Sequence, residues 1–387
     1  MSLDVKSEIV ITCLPELGKV VATELQKYGF PVNKVSSKSV LTEGTLKDTY
    51  FLNLWLRTAS HVLYKVKGFE CSNPDHLYKV TNEYPWEDFI DVDSYFSVDS
   101  FVKNKHIKDT TYPNRKVKDA IVDRFMKKFN QRPNSGSDKS QIVIYLWWVE
   151  DEAMLYLDTS GGSLSKRGYR LIPGAAPLAE SLAAGIILST GWDGKTPFVN
   201  PMCGSGTLGI EAAMIAFNIP PGIYRRSFAF MHLKNYDKSV WDQLSRGVMR
   251  PASVRKTIPI YLSDINRRAV SEATKNIQKA GFQHLIQMEV KDFTRIQKPE
   301  PPGVMVMNPP YGERLEEEER LENLYVQIGD NFKNNCINYK GFVFTGNLNL
   351  AKKIGLKASS RTPFQNAKIE CRLLEYEIFE GSKRTKD

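Results

Sequence analysis

Between residues 198 and 345, five short apolar runs alternate with helical patterns, and a glycine-rich turn follows the first. The runs are Phe198-Val199-Asn200, Ile258 to Ser263, Ile286 to Val290, Val304 to Met307 and Gly341 to Thr345. Ile210 to Ala216, Arg267 to Ala280 and Leu321 to Phe332 read as helices between several of them. Such alternation constrains this part of the chain to an α/β fold, a parallel, doubly wound sheet with helices on both faces. Ligands in such sheets bind beyond the carboxyl ends of the strands.

Upstream of about residue 175 the pattern differs. Ile9 to Thr12 reads as a strand, Leu14 to Tyr28 as a helix stopped by Gly29, and Asp48 to Leu56 as another helix. These predict a small α+β unit over residues 1–60. A second unit is expected over 61–165, with strands at Ile142 to Val149 and Ala153 to Leu157. Its helix, Lys116 to Phe129, repeats Val117, Ile121, Phe125 and Phe129 every four residues. The opposite face carries Lys116, Lys118, Arg124, Lys127 and Lys128. On its own that charge reads as a solvated helix face, but the whole chain has 53 Lys and Arg against 44 Asp and Glu. The net charge of +9 hints at a polyanionic partner.

The five cysteines, Cys13, Cys71, Cys203, Cys336 and Cys371, form no C-x-x-C half-site for zinc. A disulfide scaffold is not expected in a chain of 387 residues with so few. The residues after Met1 lack a signal-peptide pattern, and no apolar run approaches a membrane span. A cytoplasmic protein with no metal is the expectation.

After the strand at Phe198 comes Pro201-Met202-Cys203-Gly204-Ser205-Gly206-Thr207-Leu208-Gly209, and then a helix. Gly204 to Gly209 matches G-x-G-x-x-G, so a dinucleotide site has to be weighed. That reading wants an acid about 20 positions on. Ile219 to Tyr236 contains neither Asp nor Glu. Gly194-Lys195-Thr196 resembles the end of a phosphate loop, but it precedes its strand and has Ser189 at the first glycine position. Asp264 and Asp292 each follow an apolar strand. Carboxylates there can accept hydrogen bonds from ribose hydroxyls and from an adenine amine, and suit an adenosine cofactor; they can equally be caps or turn formers.

Asn308-Pro309-Pro310-Tyr311-Gly312 follows the fourth strand. Two prolines leave backbone without N–H donors and with carbonyls free to accept. The Asn308 amide oxygen and the Pro309 carbonyl can together receive a base –NH2, and Tyr311 offers a face for a flipped-out base. An aromatic exocyclic amine is a poor nucleophile, because its lone pair is delocalised. Two acceptors that orient it and stabilise the charge it gathers in methyl transfer can carry catalysis without a metal or a strong base.

Asn308-Pro309-Pro310-Tyr311 with Pro201 to Thr207 resembles the amino-methyltransferase class of S-adenosylmethionine enzymes. Ser165 to Arg170, Ala176 to Glu180, Ile219 to Gly222, Gly312 to Leu315 and Ala367 to Leu373 resemble the THUMP-domain RNA guanine-N2 methyltransferases, which include large-subunit ribosomal RNA enzymes. The resemblance covers nearly the whole chain. It implies a ferredoxin-like part (1–60), a THUMP RNA-binding domain (61–165) and a Rossmann-like methyltransferase domain (166–387).

It also implies S-adenosylmethionine as cofactor and RNA as partner, 23S ribosomal RNA above all. Catalytic roles are expected for Asn308, Pro309, Pro310 and Tyr311. Cofactor contacts are expected at Asn200, Pro201, Gly204, Gly206, Thr207, Asp264, Ile265, Asp292, Phe293 and Asn308. RNA contacts are expected at Arg115, Lys118, Lys166, Arg167 and Arg170. Many members of the family have Asp where this chain has Asn200, which cannot pair with the cofactor ammonium by charge. Asn-Pro-Pro-Tyr also occurs in adenine-N6 methyltransferases, so adenine remains the alternative base. An RNA-binding protein without catalysis is the alternative of another class, and the intact motif argues against it.

Overall fold

The computed structural model describes residues 3–104, 107, 109, 111–172, 178–254, 258–312 and 315–378. The chain forms two compact units. The first comprises Met1–Leu14, Val21–Lys166 and Pro221–Val248; the second comprises Pro15–Val20, Arg167–Pro220 and Met249–Asp387.

The first unit is built on one eight-stranded sheet. Its strands are β1 (Lys6–Cys13), β2 (Lys34–Val35), β3 (Ser39–Thr45), β4 (Ala59–Glu70), β5 (Tyr95–Lys103), β6 (Asn134–Gly136), β7 (Ile142–Val149) and β8 (Glu152–Asp158), in the order β2-β3-β1-β4-β8-β7-β5-β6. Position 60 lies inside β4, which pairs antiparallel with β1 on one side and with β8 on the other. The segments 1–60 and 61–165 therefore share a continuous sheet.

Helix α1 (Gly18–Lys27) starts later than Leu14, because Glu16 takes a left-handed φ of 70° that an α-helix cannot contain. Helix α2 (Leu46–Trp55) starts earlier than Asp48. Thr45 caps it, and the Asp48 side chain accepts from the Thr45 N–H in return, a capping box. Helices α3 (Pro74–Glu83) and α4 (Tyr112–Phe129) complete this part of the sequence. Val117, Ile121 and Phe125 of α4 are buried as its periodicity predicts, whereas Phe129 at the end of the helix is exposed.

Residues 221–248 belong to the first unit through aromatic packing. Phe230 is fully buried and stacks on Tyr50 of α2, ring centroids 4.2 Å apart, and Phe228 stacks on Phe230 at 5.3 Å. The Arg225 guanidinium donates to the carbonyls of Ser160, Gly162 and Ser163.

The second unit carries α5 (Glu180–Ser189), β9 (Phe198–Pro201) and α6 (Thr207–Ala216). After α7 (Lys238–Arg246) in the first unit come β10 (Ile260–Asp264), α8 (Arg267–Ala280), β11 (Ile286–Val290), β12 (Gly303–Met307), α9 (Leu315–Asn335), β13 (Tyr339–Thr345), α10 (Leu348–Lys352), β14 (Ser360–Asn366) and β15 (Ile369–Glu377). The sheet order is β11-β10-β9-β12-β13-β15-β14. The first five strands in this order run parallel, and the β14–β15 hairpin is added antiparallel. From β9 the chain moves outward through β10 to β11, then returns to the other side of β9 at β12. The switch point lies between β9 and β12, and a doubly wound sheet opens its ligand crevice there.

Candidate active site

Two loops leave the carboxyl ends of the strands that flank the switch point: residues 202–206 after β9 and 308–312 after β12. Asn200, fully buried at the end of β9, donates from Nδ2 to the Val306 carbonyl of β12 at 2.8 Å. This bond joins two motifs more than 100 residues apart in sequence. The other amide atom, Oδ1, has no hydrogen-bond partner among the described residues. A buried, unsatisfied carbonyl oxygen beside a ligand crevice is a site for a donor from that ligand.

The first loop holds its shape through backbone conformation. Gly204 and Gly206 adopt φ of 54° and 81°, and so does Met202 at 66°, where a side chain makes the conformation costly. A Cβ on Gly206 would lie 3.1 Å from that of Ala273 in α8. Asp264 ties the loop to β10: its Oδ2 accepts from the Gly204 N–H at 3.0 Å, and Oδ1 accepts from the Asn266 N–H at 2.9 Å. Each carboxylate oxygen keeps a further lone pair for a hydroxyl. No side chain caps α6, in contrast to α2, α3 and α8, so the N–H groups of its first turn stay available to an anionic group. At the carboxyl ends of two adjacent strands, Ile265, just after β10, is 71% exposed and Val290, the last residue of β11, 47%. Val290 was not among the expected contacts; its signal in the sequence is an apolar residue that closes the strand run two positions before Asp292. The Asp292 carboxylate caps the turn after β11 through Thr294. Phe293 places its ring in the core, which leaves only its backbone for a ligand.

The second loop has no N–H at Pro309 or Pro310, and it is held by its carbonyls. The Tyr325 hydroxyl of α9 donates to the Pro310 carbonyl at 3.2 Å. The Asn347 Nδ2 donates to the Tyr311 carbonyl at 3.1 Å. The Tyr311 side chain is turned inward, ring to ring with Phe344 at 6.3 Å, and its hydroxyl donates to the Asn308 Oδ1 at 2.8 Å. Burial pushes the Tyr311 phenol well above its ordinary pKa, so it remains a neutral donor. The oxygen expected to receive a base amine thus already has a donor on it, and the Tyr311 hydroxyl is not idle.

Two expected RNA contacts are corrected. Arg167 is 1% exposed, with its Nε 3.4 Å from Glu211, itself fully buried and bonded to the Tyr169 hydroxyl. No phosphate reaches it. Arg170 also faces inward: it pairs with Glu180 and donates to the Leu178 carbonyl and to Ser205 of the glycine loop. Both guanidiniums brace the second unit instead of meeting RNA. Lys166 is exposed, Arg115 and Lys118 keep partly exposed side chains, and the latter two pair with Asp109 and Asp119.

A model of the RMKL-like methyltransferase domain matches residues 167–375, one of the RlmL ferredoxin-like domain matches 8–63, and one of the THUMP domain matches 71–158. The chain belongs to the RMKL-like methyltransferase family. It is 39% identical over 369 residues to the ribosomal RNA large subunit methyltransferase K/L of Psychromonas ingrahamii, covering 94% of this chain and 49% of that protein. It is 32% identical to a Synechocystis protein named as a candidate RNA methyltransferase, covering 94% of both. The chain spans about half the length of the K/L relatives it matches. The crystal structure of the candidate methyltransferase SMU.472, complexed with S-adenosylhomocysteine, superposes with a TM-score of 0.87 at 28% identity over 99% of this chain and 100% of that one. A Listeria monocytogenes protein described as a predicted N6-adenine-specific DNA methylase superposes with a TM-score of 0.85 at 32% identity, over 96% of both chains. No helix among the described residues is long and apolar enough to cross a membrane.

Proposed function

We propose that this chain transfers a methyl group from S-adenosylmethionine to the exocyclic N2 amine of a guanosine in RNA, with 23S ribosomal RNA as the substrate, in the cytoplasm. The observation that carries the reading is the meeting of two complementary loops at one switch point. One leads into the uncapped N–H groups of α6 beside the Asp264 carboxylate, and the other presents carbonyl oxygens from two prolines that have no N–H. The cofactor, when bound, supplies an electrophilic methyl group on a positively charged sulfur.

The residues present suit that cofactor. The α6 N-terminus and Gly204 to Thr207 take its carboxylate, and the unsatisfied Asn200 Oδ1 takes its ammonium. Asp264 receives the ribose hydroxyls, Ile265 and Val290 flank the adenine, and Asp292 accepts from its amine. Asn308 Oδ1 and the Pro309 carbonyl orient the base amine toward the methyl group and stabilise its growing positive charge. The base amine displaces the Tyr311 hydroxyl from Asn308, which frees the ring to stack on the base. Arg115, Lys118 and Lys166 contribute phosphate contacts from the first unit, so RNA affinity falls steeply with salt.

The experiment is single-turnover transfer from labelled cofactor to undermodified ribosomal RNA, followed by nucleoside analysis. N2-methylguanosine is the expected product. N6-methyladenosine would keep the amine chemistry and overturn the choice of guanine, and no transfer to any RNA would overturn the enzyme.

A further inference from the structure

Pro309 and Pro310 give the base-accepting loop a property that creates a second requirement. Without N–H groups at these positions, the backbone there cannot be fixed by its own donors. The backbone handles at these two positions are carbonyls, and at least one must stay free for the substrate. The loop's orientation therefore depends on donors from elsewhere.

Such donors form a chain beneath the loop. The Asn347 N–H donates to Thr345 Oγ1 at 3.1 Å, Thr345 and Tyr325 are joined hydroxyl to hydroxyl at 2.9 Å, and Tyr325 donates to the Pro310 carbonyl at 3.2 Å. The proton inventory sets the direction. Tyr325 has one proton and gives it to Pro310, so Thr345 must give its own to Tyr325 and receive that of Asn347. Tyr325 and Thr345 are fully buried, so water does not substitute for either. Asn347 has a second role: its Oδ1 caps α10 through the Asn349 and Leu350 N–H groups while its Nδ2 holds the Tyr311 carbonyl. The carbonyls of Pro310 and Tyr311 are drawn inward. No described residue hydrogen-bonds the Pro309 carbonyl.

We infer that Tyr325, Thr345 and Asn347 are positioning residues for methyl transfer: by holding the Pro310 and Tyr311 carbonyls they leave the Pro309 carbonyl as the second acceptor beside Asn308. The inference rests on the reading that Asn308 and Pro309 receive the amine. The chain spans three elements, α9, the end of β13 and the start of α10, and none of its members is expected to touch substrate or cofactor.

The test compares Tyr325→Phe, Thr345→Val and Thr345→Ser with Asn308→Ala in the full-length protein. It measures single-turnover rate at saturating RNA and cofactor, KM for RNA, S-adenosylhomocysteine affinity and melting temperature. Tyr325→Phe and Thr345→Val should each lower the rate by roughly tenfold or more, as displaced catalytic groups do. KM and cofactor affinity should stay within about twofold of the parent, because neither binding surface is touched. The double variant should be little worse than either single one, since both cut the same chain. Thr345→Ser keeps the hydroxyl and should restore the rate. Parental rates in Tyr325→Phe and Thr345→Val, alongside a slow Asn308→Ala, would overturn the inference and leave the reading of Asn308 intact. A parental rate in Asn308→Ala would overturn that reading itself. Equal losses in Thr345→Ser and Thr345→Val, or losses shared between rate and cofactor affinity, would mark a merely structural chain and also overturn the inference.

Discussion

The two loops at the switch point solve the same problem by opposite means. The loop after β9 is shaped by the left-handed backbone of Met202, Gly204 and Gly206 and pinned by Asp264, and the donors it leads to are the uncapped N–H groups that open α6. The loop after β12 is stiffened by prolines and presents acceptors; side chains outside it, Tyr325 and Asn347, hold its carbonyls. A loop of donors suits an anionic cofactor end, and a loop of acceptors suits an amine. Damage to the first should therefore register in cofactor affinity, and damage to the second in rate.

The largest separation is expected for Asn308→Ala. Losing one of two acceptors in a desolvated site should slow methyl transfer on the order of a hundredfold or more. S-adenosylhomocysteine affinity by calorimetry should barely change; a parallel fall would mean that the loops do not divide the work. Asp264→Ala is the converse. It removes the acceptor of the Gly204 N–H and of the proposed ribose hydroxyls, so affinity should fall by roughly tenfold to a hundredfold, the range of charge-assisted hydrogen bonds. Unchanged affinity would take Asp264 out of the cofactor site.

Tyr311→Phe should have a smaller effect. The hydroxyl donates to Asn308, and on the proposed mechanism it gives way to the base amine. The variant should bind undermodified RNA slightly more tightly, by a few-fold at most for one hydrogen bond of about 1 kcal/mol. Weaker binding of RNA would show that the hydroxyl helps the base instead of holding its place. The smallest effect is an absence of titration. Burial pushes the Tyr311 phenol well above its ordinary value and that of Tyr325 up to about 12, so both stay protonated as pH rises from 6 to 9. Neither hydroxyl should produce an inflection in the single-turnover rate across that window. A deprotonation step there that Tyr311→Phe abolishes would break the account of the acceptor loop.

The legible parts of this molecule are those that a local rule dictates. The doubly wound sheet follows from alternating elements, and the acceptor loop from two adjacent prolines beside Asn308. Helix α5 was not legible, because every residue from Glu180 to Ile187 is buried and it lacks the polar face that marks a surface helix. Arg167 and Arg170 look like exposed cations in the sequence, since the carboxylates that bury them, Glu211 and Glu180, lie 44 and 10 residues away. The bond from Tyr311 to Asn308 is equally invisible, because it depends on which way a ring turns.

The return of residues 221–248 to the first unit has a consequence for how such a protein can be cut and rejoined. The methyltransferase match at 167–375 suggests a module separable by one break near residue 166, yet its sequence contains the stretch that supplies Phe228 and Phe230 to the aromatic packing around Tyr50. A fragment beginning there would carry those rings with nothing to cover them, and the complementary fragment would expose Tyr50. Grafting a different first unit onto this second unit therefore requires exchanging an internal cassette together with the N-terminal stretch. Recombination at a single breakpoint would yield chimaeras that aggregate before their specificity could be tried.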